Sequence, residues 1–177
     1  MSFLQKFSKE LSRILYWVAG FSIIIMMLLT CTDILLRLGV TFYHKYHVEL
    51  LSPFKPIPGT YELVCFMGAI AVSFAMAHTS IERGHVAVSL IVRLLPKKIQ
   101  ALIASFTDSF GITFFGLLAW RSYAYGNHLR EIGEVSLTLQ LPFYPFVYGV
   151  AFSSLVVCLI LFSDLIESLK TLFGKLK

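Results

Sequence analysis

The chain has 177 residues, of which 57% are hydrophobic and only 14% charged, with a mean hydropathy of +0.78. A water-soluble domain carries about 25% charged and 45–50% apolar residues, so this composition leaves no room for an ordinary soluble enzyme and makes lipid the solvent. The net charge of +5 sits on Lys and Arg that flank apolar runs, a pattern that orients a membrane protein and does not call for nucleic acid.

The first apolar run covers about 14–36. A helix rises 1.5 Å per residue, so about 20 residues cross a hydrocarbon core about 30 Å thick. Lys6, Lys9 and Arg13 precede the run as in a signal peptide. It is too long for a signal core and no small-residue cleavage site follows, so it is expected to stay attached. Asp33 and Arg37 lie four apart near its end and can pair on one helix face. A connector follows in which Pro53, Pro56 and Pro58 forbid a continuous helix. The second span, about 61–78, opens with Glu62 and is rich in small residues (Gly68, Ala69, Ala71, Ser73, Ala75), which let another helix approach closely.

Residues 86–95 read as an amphipathic arm lying along the membrane surface. A third span of about 99–125 carries Asp108 midway and Arg121 near its end; a polar loop then leads to Pro142. The fourth span, about 143–165, is entered through Phe143, Tyr144, Phe146 and Tyr148, an aromatic belt suited to the headgroup level. The expectation is one all-α membrane domain over 1–177, with four transmembrane helices and an interfacial segment between the second and third.

Orientation follows from the basic residues. Ten of them (Lys6, Lys9, Arg13, Arg83, Arg93, Lys97, Lys98, Lys170, Lys175, Lys177) fall on one side of this topology. Five (Arg37, Lys45, Lys55, Arg121, Arg130) fall on the other. Positive residues favour the cytoplasm, so both termini are expected inside.

That topology puts Asp33, Arg37, Glu62 and Arg121 in one layer near the outer interface, as a charge-balanced clamp between three helices or as a contact with a partner subunit. Ionisable groups at such depth are costly unless paired or wet. Asp108 is the acid nearest the midplane, with Ser73, Ser153 and Ser154 at comparable depth as candidate donors; an interhelical link and a role in coupling to a second subunit both remain open. Cys31, Cys65 and Cys158 lie in apolar segments without CxxC spacing, which predicts buried free thiols and neither disulfide nor zinc. His44, His47, His78, His85 and His128 do not supply two axial ligands at a matched depth, so no haem is expected. No nucleophile elbow, P-loop, HExxH or dinucleotide fingerprint is present, and no catalysis is expected.

Two stretches carry a family likeness. Arg83-Gly84-His85-Val86-Ala87-Val88 follows the small-residue helix that begins near Glu62, and Ser136-Leu137-Thr138-Leu139-Gln140-Leu141-Pro142 precedes the last helix. With four spans in 177 residues, the chain resembles over nearly its whole length the DctQ-like small membrane subunit of tripartite ATP-independent periplasmic (TRAP) transporters. Ser89 stands where members often carry Asp. The resemblance implies a heterodimer with a large, elevator-type membrane subunit that holds the substrate and sodium sites. A periplasmic binding protein would deliver an organic acid of dicarboxylate or sialic-acid type. This chain would need no cofactor and would brace the large subunit's static part, with Arg83, Gly84 and His85 setting the arm against lipid or partner. The other readings are a membrane anchor for a redox enzyme and a small homo-oligomeric transporter.

Overall fold

Prolines and glycines punctuate the chain, and helices fill the intervals between them. A computed structural model describes residues 3–46, 57–81 and 96–173. These form α1 (Phe3–Tyr46), α2 (Thr60–Ile81), α3 (Lys97–Ile132) and α4 (Tyr144–Phe173), with no strand among the described residues. The arm at 86–95 and the Arg83-Gly84-His85 turn lie outside the described residues, as do most of the proline connector and the last four positions.

Each described boundary has a local cause. α2 starts at Gly59, whose φ of +77 suits a residue without Cβ. Its carbonyl accepts the Leu63 N–H at 3.1 Å, and Thr60 Oγ1 donates to the Ile57 carbonyl at 2.9 Å. α3 opens behind Pro96, whose carbonyl accepts from Ile99 and Gln100, and closes at Gly133 in the left-handed conformation. There the Gly133 and Glu134 N–H groups both return to the Leu129 carbonyl, a glycine stop that satisfies the helix end.

All four helices are long and apolar enough to cross a membrane, the qualifying segments being Ser8–Phe42, Thr60–Ile81, Leu102–Ile132 and Tyr144–Ile166. These are the four spans expected from the sequence, but the helices overrun them. α1 has 44 residues, about 66 Å, and α3 has 36, about 54 Å. Residues 37–46 and 126–132, which read as connector and loop, are helical because no proline interrupts them and helix propagates once nucleated.

The helices form an open row. α1 packs on α2, α2 on α4 and α4 on α3, with a smaller contact between α1 and α4; the α3–α4 pair is the most extensive. Neighbours α1 and α2 are antiparallel, as Met26 opposite Gly68 and Ser12 opposite His78 show. α3 and α4 are antiparallel too: Gly126 meets Tyr148, and Gly111 meets Leu161. A modest core of Leu15, Ala77, Val156, Val157 and Ile160 joins α1, α2 and α4 near the His78 end. The interior is otherwise lined by small polar residues, with Ser12, Ser22, Ser73, Ser153 and Ser154 all buried. Large side chains face outward: Trp17, Phe106 and Phe110 are each more than 70% exposed. Small residues inside and bulky apolar ones outside suit helices whose surroundings are as apolar as their contacts.

Candidate functional site

Two features of this row could serve a partner: a polar clasp at the Glu62 end and a groove between α2 and α3. The clasp starts on α1. Arg37 Nε donates to Asp33 Oδ2 at 2.7 Å, four residues apart on one face. The Asp33 residue is only 8% exposed, whereas the Arg37 side chain is 62% exposed. The Asp33 carboxylate lies beside Ile57 and Thr60, the turn that opens α2, and its buried Oδ1 closes no hydrogen bond among the described residues. Asp33 therefore meets α2 where backbone N–H groups of a helix start are unsatisfied and favour an anion.

Glu62, in the first turn of α2, reaches away from α1. Its two carboxylate oxygens accept the backbone N–H groups of Thr138 and Leu139 at 2.9 and 3.1 Å, with the Ser136 and Thr138 hydroxyls alongside. The loop it grips is closed on itself. The Ser136 N–H donates to the Leu141 carbonyl at 2.9 Å, Leu141 N–H donates to Ser136 Oγ at 3.2 Å, and Val135 bridges Pro142. Gln140 takes a φ of 52° to make the turn. Leu139 settles on Gly59, so closely that a Cβ there would come within 2.5 Å of its side chain. The expected charge layer is thus two separate fasteners, one from α1 to α2 and one from α2 to the α3–α4 loop. The motif residues Ser136, Thr138 and Pro142 belong to the second.

Arg121 joins neither. It is exposed and makes no hydrogen bond or ion pair among the described residues. Between Gly116 opposite Cys158 and Gly126 opposite Tyr148, Arg121 stands across from the Ser153 region of α4. Ser153 in turn donates to the carbonyl of Ser73, midway along α2 and remote from Glu62. Asp108 of α3 lies level with Asp164 of α4. The serines offered as its donors are committed to backbone carbonyls: Ser73 to Ala69, Ser153 to Ser73 and Ser154 to Val150.

Cys31 and Cys65 are exposed on their helices, correcting the expectation of burial. Cys158 is half-buried, its Sγ 3.6 Å from the Ile112 carbonyl. His78 faces α1, with Nδ1 3.5 Å from Ser12 Oγ and its ring 4.4 Å from that of Tyr16. Among the described residues no group of three His, Cys, Asp or Glu could hold a metal ion.

The groove was not foreseen. Its α2 wall includes Gly68, Ala69, Val72 and Met76; Phe115 and Leu118 of α3 face them, and α4 forms the floor through Val150, Ser153, Ser154 and Val157. Its volume is about 420 Å³. The small-residue run of α2 signalled a close approach, but the partner helix could not be read from sequence, and α2 approaches α4 while α3 stands off.

Four long helices with an outward apolar surface and internal fasteners of backbone, carboxylate and serine define a multi-pass membrane protein. Residues 26–171 match the DctQ component of the tripartite ATP-independent periplasmic transporters, and the chain belongs to that family. This is a family of small transporter subunits and not of enzymes, and its members work with a large membrane subunit and a binding protein. Neither a curated protein nor a solved structure matches this chain.

Proposed function

We propose that the chain is the scaffold subunit of a sodium-coupled TRAP system in a bacterial inner membrane, with both termini cytoplasmic. It braces the static part of a large elevator-type subunit while a periplasmic binding protein delivers an organic acid of dicarboxylate or sialic-acid type. The family match across 26–171 carries this reading. The open row supports it physically: each helix is pinned to a neighbour, and no residue in the most apolar stretch of α3 is buried. A wide, stiff slab in lipid resists lateral drag better than a narrow bundle. In this reading the Arg83-Gly84-His85 turn angles a surface arm that enlarges the slab, Gly84 allowing backbone conformations closed to other residues.

Co-expression with the large subunit tests it. The two chains are expected to co-purify from detergent, and sodium-driven uptake in proteoliposomes is expected only when both chains and the binding protein are present. Gly84→Val and Arg83→Ala are expected to weaken co-purification. Uptake by this chain alone, or by the large subunit alone at the full rate, would overturn the scaffold role.

A further inference from the structure

The groove between α2 and α3 has no task in the scaffold reading, and Arg121, which has no partner among the described residues, stands one turn from its α3 wall. From Gly68 to Met76 it runs along nine residues of α2, about 12 Å. The slot is long, narrow and apolar, as an acyl chain requires. Val72 and Met76 on its rim are 60% and 44% exposed, so the slot opens sideways into the surrounding medium.

Arg121 lies three residues beyond Leu118, on the same side of α3 and one turn along. Residues 109–120 before it hold no charged side chain, whereas Ser122, Asn127, His128 and Arg130 follow it, so Arg121 marks the headgroup boundary on this helix. Trp120, Tyr123 and Tyr125 around it are 68%, 57% and 54% exposed, the belt that such a boundary attracts. A guanidinium binds phosphate with two parallel hydrogen bonds, and this one has no partner among the described residues.

We propose that the slot holds one acyl chain of an anionic phospholipid whose phosphate rests on Arg121. The inference does not depend on the transporter reading. Native mass spectrometry of the full chain in detergent, supplemented with phosphatidylglycerol or phosphatidylcholine of equal chain length, tests it. The wild type is expected to retain phosphatidylglycerol about five-fold better, the factor that corresponds to roughly 1 kcal/mol for one basic residue at an anionic headgroup. Arg121→Gln should abolish that preference while acyl binding persists, and Arg121→Lys should keep most of it. Val72→Trp should fill the slot and remove both lipids; Ala69→Leu, a smaller filling, should weaken both if the tryptophan variant does not fold. Equal retention of the two lipids by the wild type, a preference that survives Arg121→Gln, or adducts that survive both fillings would overturn the proposal. So would a photocrosslinker at Val72 that captures a protein helix in the assembled transporter and no lipid.

Discussion

Glu62 does more than any other charged residue described here, because it holds two chain segments that no helix contact joins. Its carboxylate grips the Thr138 and Leu139 N–H groups across 76 and 77 positions of sequence. A charged acceptor on a backbone donor makes a short, strong bond, and removing it leaves donors without partners. Glu62→Ala should therefore loosen the 134–143 loop more than Glu62→Gln, whose amide oxygen still accepts one bond. Limited proteolysis in detergent checks this: cleavage within the loop is expected to rise from wild type to the glutamine variant to the alanine variant. Equal, slow cleavage in all three would show that the loop's own bonds, Ser136 to Leu141 and Gln140 to Ser136, suffice. Both ends of this fastener stood out in the sequence, Glu62 as an acid at a helix start and Ser136 to Pro142 as a motif. Their pairing did not, since charge counting looks for an opposite charge and the partner here is backbone.

At the scale of the helix, the apolar runs were legible because each is far longer than any buried helix of a soluble domain of this size needs. The ends were not. The apolar run read from the sequence stops at about 125, yet α3 continues to Ile132, where a left-handed Gly133 stops it. Gly126 lies in that hidden stretch and is buried beneath the Tyr148 ring, which a Cβ would approach to 2.7 Å. Tyr148 Oη also donates to Asn127 Oδ1 at 2.6 Å, so the ring is held in place and cannot easily yield. Gly126→Ala gains helix propensity but overpacks this contact, which costs about 1–3 kcal/mol in a rigid site. A lower thermal midpoint is expected, and Tyr148→Leu should cancel most of the loss because residues in contact are non-additive. A double-mutant cycle by thermal unfolding decides it; additive effects would mean that α3 and α4 part at this level without strain.

For the molecule as a whole, the apolar bands of neighbouring helices do not line up. Interpolating between Gly116 opposite Cys158 and Gly126 opposite Tyr148 sets Tyr123 across from Ala151. Ser153 on Ser73 and Gly149 on Phe74 then carry that level to the middle of α2, beside Val72. Yet Val72 is centred in an apolar helix, whereas Tyr123 lies two residues past Arg121, in the stretch of α3 where charged and amide side chains return. Two positions at one height along the row cannot both suit their surroundings if the helices stand upright. They do if the row leans in its own plane, carrying the far end of α3 out of the hydrocarbon. Tilts of 0–40° occur among membrane helices and cost little when polar ends reach water. Spin labels at Val72→Cys and Tyr123→Cys, with Cys31, Cys65 and Cys158 replaced by serine, read this directly in bilayers. The label at 72 is expected to relax with dissolved oxygen, as in hydrocarbon, and the label at 123 with a water-soluble nickel complex. Equal depths for the two would mean an upright row, and would leave the polar stretch from Ser122 to Glu131 inside the membrane, where its charges would have to find partners beyond the described residues.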